Sequence, residues 1–244
     1  MSSQSSSRKD HFAATRWSTV MQLADKESPV ARDALEQLAR RYWYPVYAYI
    51  RRCGHAPMIA AEMAHKLLEQ LQSDLSGQLA QDRPGHFRRF LLERVHGFLA
   101  SDWRESPVAG TTGRELVAPP DLEARYLRDG HRTHSPDDVF QRSFALEVLH
   151  RALRGLREEA RQTGHLDMYE VLEPFLARDP PSGEYEAMAT RLGCRPLALV
   201  MALKRLRERF YELAAEELAD TVSSADELSR EQDDLLAVLG NLNP

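Results

Sequence analysis

The segment Gly183–Leu218 constrains the fold of this chain more than any other, because it contains two helical patterns separated by a turn. In the first pattern, apolar residues recur at i, i+3, i+4 and i+7 and so share one face of a helix. They are Tyr185, Met188, Ala189 and Leu192. Gly193 predicts the end of that helix, since glycine accepts a left-handed conformation. Pro196 predicts the first turn of a second helix, where its missing N–H would have no partner.

The second helix is predicted to be longer, amphipathic and basic. Its buried stripe consists of Leu199, Leu203, Leu206, Phe210 and Leu213, and the basic residues outside the stripe are Lys204, Arg205, Arg207 and Arg209. A short helix, a turn with glycine and a longer basic helix form the helix-turn-helix arrangement, whose second helix can enter the DNA major groove. All-α domains that bind no DNA contain such pairs as well, so the pattern alone leaves both interpretations open.

The outer face of the second helix begins with apolar residues. At about 100° per residue, Leu197 and Met201 lie opposite the core stripe, beside Lys204 and Glu208. A DNA-reading helix usually carries hydrogen-bond donors and acceptors on this face. This face is therefore expected to contact either thymine methyl groups and DNA shape, or a protein.

The chain length, the composition and the net charge limit the classes to which this protein can belong. The chain has 244 residues, enough for one large domain or two small ones with separate cores. Hydrophobic residues at 43% and charged residues at 28% are ordinary for a soluble globular protein. The net charge of −5 argues against binding nucleic acid through bulk electrostatics, but it allows local basic strips.

A cytoplasmic location and no membrane partner are expected. No apolar run approaches the ~20 residues of a membrane span. Residues 1–10 lack the apolar core of a secretory signal and are predicted to form a disordered arm. Cys53 and Cys194 lie far apart without a CxxC motif, which a reducing compartment explains most simply.

The remaining segments predict an all-α fold of two helical domains joined by a linker. Helices are predicted at 15–24, 28–54, 57–71, 86–103, 135–163, 168–177 and 226–239, with a loop at 73–84. Pro45 is expected to bend or split its helix, because it removes one helical hydrogen bond. Residues 105–136 are rich in turn formers and show little periodicity, which predicts the linker, with one helical turn at 122–127.

Aromatic residues are dense around Pro45. They are Tyr42, Trp43, Tyr44, Tyr47 and Tyr49. Such a cluster can stack on nucleic-acid bases. Helical spacing favours the other interpretation, in which the rings belong to the core and the hydroxyl groups reach its rim.

Motifs of catalysis are absent from the sequence. It contains no phosphate-binding glycine loop, no nucleophile elbow, and no histidine or cysteine pattern of a zinc site. His131 and His134 are three positions apart but have no third ligand nearby. We therefore expect no enzymatic activity, no cofactor and no metal site.

Seven segments in order identify a resemblance. They are TRWSTVMQL, ALEQLARRYWYPVYAYIRRCGH, HFRRFLLERVHGFLASDW, ALEVLHRALRGLREEA, EVLEPFL, YEAMATRLG and LKRLRERFYELAAEELADTV. The chain resembles an extracytoplasmic function (ECF) sigma factor of the sigma-70 family, in the planctomycete-like branch often encoded beside serine/threonine kinases. The likeness runs from Phe12 through the tail, and its most specific parts are YWYPVYAY-RR-GH and F-R-FLL.

The resemblance implies a domain order and two partners. Residues 11–104 would be a sigma-2-like domain that docks on the RNA polymerase clamp and melts the promoter −10 element. Residues 105–136 would be the linker, and 137–222 a sigma-4-like domain whose helix-turn-helix reads the −35 element. Residues 223–244 are predicted to add an acidic C-terminal helix. Core RNA polymerase and promoter DNA are the expected partners.

The resemblance also implies site residues. The implied DNA-binding residues are Phe87, Arg88 and Arg89 beside the −10 element, and Arg195, Leu197, Val200, Met201, Lys204, Arg205 and Arg207 at the −35 element. The implied polymerase-binding residues are Met58, Ile59, Ala61, Glu62 and His65.

Two departures from the family pattern support a second hypothesis. Residues 57–65 retain one acid, Glu62, where the family usually has several, and Ala64 replaces a threonine whose phosphorylation would add negative charge. The reading helix carries Leu197, Val200 and Met201 where the family has small or polar residues. Under this hypothesis the chain is a sigma-like interaction protein that acts through a kinase, an inhibitor or another protein partner.

Overall fold

The computed structural model describes residues 29–78, 87–101, 120–130 and 134–219, together with residues 226, 229, 230 and 233. The predicted arm at 1–10, the predicted helix at 15–24 and most of the predicted helix at 226–239 lie outside the described residues. All regular secondary structure in the described part is helical, and no strand occurs in it. The all-α prediction is confirmed.

The helices are numbered here in chain order. They are α1 (Pro29–Arg52), α2 (Pro57–Gln78), α3 (Phe87–Ala100), α4 (Pro120–Arg128), α5 (Pro136–Gln162), α6 (Leu166–Leu172), α7 (Glu184–Leu192) and α8 (Pro196–Ala219), with a 3-10 turn, Glu173–Phe175, after α6. The chain divides into two compact units, one of Met1–Glu147 with Leu218–Pro244 and the other of Val148–Glu217. This division falls inside α5, whereas the linker was predicted to end at residue 136.

The core of the first unit is built around aromatic rings. The Tyr42 ring meets the edge of Phe87 at 5.2 Å between centroids and stacks on Phe144 at 5.2 Å. Tyr42 and Phe87 are completely buried and Phe144 nearly so. The core interpretation of the aromatic cluster is confirmed for Tyr42, Tyr44, Tyr47 and Tyr49, which are all buried. Because Phe144 belongs to α5, the first turns of that helix are part of the first unit.

Helix α1 continues through Pro45, so of the two predicted outcomes, a bend or a split, the split does not occur. Tyr42, Val46 and Ile50, on either side of the proline, are completely buried. Most helical stability comes from tertiary packing, so burial of these side chains offsets the hydrogen bond that the proline removes.

Helix α2 extends further than predicted. The loop predicted at 73–84 is wrong for residues 73–78, which continue the helix to Gln78. Serine and glycine each cost at most about 1 kcal/mol in a helix, which is too little to end an established hydrogen-bond ladder. Residues 79–86 lie outside the described part of the chain.

The predicted linker contains a full helix, α4, where only one helical turn was expected. The Arg125 guanidinium lies 3.6 Å from the centroid of the Tyr44 ring in α1. The same guanidinium hydrogen-bonds to Glu147 in α5. Long polar side chains therefore attach α4 to α1 and α5 within the first unit.

Helix α5 begins at the predicted cap. The Ser135 hydroxyl accepts a hydrogen bond from the Asp138 N–H at 3.1 Å, and the Ser135 N–H donates to Asp138 Oδ2 at 3.3 Å. This reciprocal pair satisfies two N–H groups that a helix start leaves without partners.

The second unit packs α7 and α8 against the helices before them. One core cluster consists of Val171, Leu172, Met188, Ala189, Leu199 and Leu203, and another of Leu156, Ala160 and Tyr169. Leu206, Phe210 and Leu213 are partly buried against the second cluster. The predicted buried stripe of α8 is confirmed, and its burial fixes which face of α8 points outward.

Candidate nucleic-acid interface

The turn between α7 and α8 has the predicted geometry. Gly193 adopts the left-handed conformation, with φ 64° and ψ 32°. The Cys194 N–H donates to the Ala189 carbonyl oxygen at 3.0 Å, which closes the end of α7. Helix α8 begins at Pro196. The two helices of the predicted helix-turn-helix arrangement are therefore present with the expected connection.

Six of the predicted site residues are exposed, one directly before α8 and five in its first half. They are Arg195, Leu197, Val200, Met201, Lys204 and Arg205, here called the α8 outer face. Leu197 is 70% exposed, Met201 45% and Val200 40%. The helical repeat places Leu197 and Met201 opposite Leu199 and Leu203, which are buried in the core, and places Val200 at the side of the helix between them.

The positive charges of the α8 outer face are weakly neutralised. The Lys204 ammonium lies 3.8 Å from Glu208 Oε1, and both side chains are more than half exposed. Such an exposed pair contributes little and is screened by salt. Within the described part of the chain, neither Arg195 nor Arg205 takes part in an ion pair. Their guanidinium groups are accessible to an anionic partner.

Arg207, which was also predicted to bind DNA, does not belong to this surface. Its Nη2 donates to the carbonyl oxygens of Phe175 and Arg178, at 2.8 and 2.7 Å. Its Nη1 lies 2.9 Å from Asp179 Oδ1. The guanidinium therefore holds the segment between α6 and α7 against α8, and these contacts occupy the donors that a phosphate would need.

Arg209 is likewise occupied by the protein's own carboxylates. It contacts Glu159 of α5 at 2.7 Å, and Glu212 and Glu216 of α8 at 2.9 and 3.1 Å. Hydrogen bonding to Glu159 raises the pKa of the Arg209 guanidinium, and the same contact lowers the pKa of Glu159. This pair joins α5 to α8 within the second unit.

The three residues predicted to bind DNA in the first unit differ in their exposure to solvent. Phe87 is completely buried and Arg88 is 8% exposed, so neither side chain lies at the surface of this unit. The Arg88 guanidinium hydrogen-bonds to Gln141 and lies over the Phe144 ring. Only Arg89 is at the surface, with its Nε 3.9 Å from Glu93.

The residues predicted to bind polymerase also differ in their exposure to solvent. Met58 is 67% exposed, whereas Ala61 is 2% exposed and lies in the core. Ile59 is half-buried. Glu62 pairs with Lys66 at 3.0 Å and His65 with Glu69 at 2.9 Å along α2. The surface that remains is small, with Met58 as its most exposed member.

A groove of about 650 Å³ in the second unit was not predicted. Its lining includes Leu156, Ala160, Tyr169, Met201, Arg205 and Leu206. The groove forms from α5, α6 and α8, which are separated along the chain, so no local sequence pattern marks it. Met201 and Arg205 belong both to this lining and to the α8 outer face.

No protein-family model matches the chain, and neither a curated protein nor a solved structure matches it. Among the described helices, none combines the length and apolar character needed to span a bilayer.

Proposed function

We propose that α7 and α8 bind duplex DNA as a helix-turn-helix module, in a protein that directs RNA polymerase to promoters. The ECF sigma factor resemblance supplies the promoter role. The observation that carries the DNA role is the α8 outer face, in which the exposed cations Arg195, Lys204 and Arg205 flank exposed apolar side chains along the chain. Lysine and arginine contacts to phosphates would position the helix, and contacts to base edges would select the sequence.

Local charge supports this proposal despite the net charge of −5. Electrostatic potential at close range depends on the nearest charges, because the Debye length is about 8 Å at physiological salt. Lys204 and Arg205 lie next to each other at this surface, whereas Arg207 and Arg209 are held by protein groups. Three cations near phosphates predict a salt slope, d log K/d log[salt], of about −2.7.

The DNA role is tested by fluorescence anisotropy with the full chain and a labelled duplex pool at several salt concentrations. Arg205→Ala is expected to weaken binding and to reduce the magnitude of the salt slope by about one. Arg161→Ala is the matched control, since Arg161 is an exposed arginine of α5 paired with Glu158. An unchanged slope in Arg205→Ala would remove this arginine from the interface, and an absence of duplex binding would contradict the DNA role.

The promoter role requires polymerase as a partner. Met58 and Ile59 at the start of α2 are the proposed contacts, because Met58 is exposed and Ile59 is half-buried. Incubation with the core polymerase of the source organism is expected to yield a complex and transcripts from discrete start sites. Met58→Asp should weaken complex formation without changing DNA binding. Failure of the native chain to bind core polymerase would contradict the promoter role.

A second function is favoured by the apolar part of the α8 outer face. Leu197, Val200 and Met201 form an exposed apolar patch, and such patches on soluble proteins often mark protein-binding sites. In this alternative the chain is a sigma-like interaction protein with a kinase or an inhibitor as its partner. Promoter-specific transcription by the reconstituted complex would contradict the alternative. Polymerase binding without DNA binding by α8 would support it.

A further inference from the structure

We infer that the α8 outer face selects thymine-containing duplex DNA by packing Leu197, Val200 and Met201 against thymine methyl groups. This inference rests on the proposed DNA role of α8 and adds the chemistry of its sequence selection. Charge complementarity identifies DNA as the occupant, because Arg195 precedes the apolar residues and Lys204 and Arg205 follow them.

The chemistry of the exposed side chains carries the inference. Leu197 and Val200 have no hydrogen-bonding group, and the Met201 thioether is only a weak acceptor. In the major groove, every base pair presents donors or acceptors, and thymine also presents a C5-methyl group. An apolar side chain pressed against a donor or acceptor leaves that group without a partner, at a cost of about 1–3 kcal/mol. The methyl group is the base-edge feature that these side chains can bury favourably.

The spacing along α8 fits the dimensions of the groove. At about 1.5 Å per residue, the axial rise from position 195 to position 204 is about 13 Å. The major groove is about 12 Å wide. Long basic side chains at the two ends can therefore reach phosphates on opposite sides while the apolar residues between them lie over the base edges. Cations at the ends and apolar groups in the centre match the order of phosphates and methyl groups across the groove.

The test replaces thymine by uracil, which removes the C5-methyl group and keeps every hydrogen-bonding group of the base. The native chain is titrated with two mixed-sequence A·T duplexes that differ only in containing thymine or uracil. Burial of one methyl group corresponds to about fourfold in affinity. We expect the thymine duplex to bind about 15-fold more tightly when two methyl groups are buried.

Substitutions test which residues cause the preference for the thymine duplex. Leu197→Ala and Met201→Ala should reduce the thymine preference, with little change in affinity for the uracil duplex. Lys204→Ala is the matched control and should weaken binding to both duplexes equally. All three residues are exposed, so the variants are expected to fold, and circular dichroism checks this.

The outcomes separate this inference from the proposed DNA role. Equal affinity for the thymine and uracil duplexes would overturn the methyl-reading inference and leave DNA binding intact. A thymine preference that persists in both Leu197→Ala and Met201→Ala would also overturn it. If the native chain bound neither duplex, that result would contradict the DNA role itself. It would favour a protein as the occupant of this face.

Discussion

Arg51 and Glu123 form a two-pronged ion pair, with Nε donating to Oε2 at 2.9 Å and Nη2 donating to Oε1 at 2.7 Å. The Tyr47 hydroxyl donates to the same carboxylate at 2.6 Å. These contacts attach α4, in the predicted linker, to α1. The hydrogen bonds from Arg51 lower the pKa of Glu123. Helix α4 is therefore held to α1, within the first unit, by a charged pair whose carboxyl pKa is lowered.

Glu123→Gln should destabilise the attachment of α4. Hydrogen bonds to charged groups contribute about 1.5–3 kcal/mol, and the amide keeps the shape but loses the charge and one acceptor. Hydrogen exchange of the α4 amides at neutral pH measures the effect, with Asp121→Asn as the control because Asp121 is exposed. Equal protection of α4 in Glu123→Gln and the native chain would contradict a stabilising role for this pair.

The contribution of Glu123 should depend on pH. Because the folded-state pKa is lowered, the stabilisation is present above the ordinary glutamate pKa of about 4.3 and is lost as pH falls through the folded-state value. The difference between native and Glu123→Gln protection should thus be constant near neutrality and disappear in acid. A difference that grows on acidification would contradict this assignment.

Arg207→Ala should lower the stability of the fold, whereas Arg205→Ala should weaken DNA binding, although the two residues are only two positions apart. Removing Arg207 leaves the carbonyl groups of Phe175 and Arg178 without this donor, and we expect a loss of about 1–3 kcal/mol in unfolding free energy. Arg205 is exposed on the α8 outer face, so its loss should weaken DNA binding and leave stability unchanged. Urea unfolding and anisotropy measure the two effects. Equal stability of the two variants would contradict the structural role of Arg207.

Glu208→Gln should strengthen DNA binding. Glu208 lies one helical turn after Lys204, and its carboxylate opposes the phosphates that Lys204 would approach. Removing one exposed negative charge is expected to raise affinity about threefold at low salt and less at high salt. Glu158→Gln, on α5 beside Arg161, is the matched control. An equal gain in both variants would indicate a general charge effect.

Gly193→Ala should destabilise the turn through backbone conformation alone. A β-carbon at this position would meet no atom within 4 Å, but φ is +64°. The left-handed conformation costs a residue with a β-carbon about 1–2 kcal/mol. Gly97→Ala is the converse control, since Gly97 lies in α3 with open space around it and should gain about 0.5–1 kcal/mol. Urea unfolding that shows the same sign for both substitutions would contradict this explanation.

The sequence by itself determined the features that depend on local periodicity and backbone preference. The buried stripe of α8, the left-handed turn at Gly193 and the cap at Ser135 follow from spacings of a few residues, and all three were predictable. The docking of α4 was not, because Arg51 and Glu123 are far apart in sequence and no pattern joins them.

Only the tertiary structure decided which side chains remain available at the surface. Arg205 and Arg207 are alike in charge and share a helix, as do Arg88 and Arg89, yet one of each pair is exposed and the other is held or buried. The position of a residue around the helix axis indicates which side chains can be exposed, but it does not decide which of them are. A long side chain can turn toward a carbonyl group, a carboxylate or a ring that a neighbouring element brings near. Those neighbours come from distant parts of the chain and are assembled only by folding.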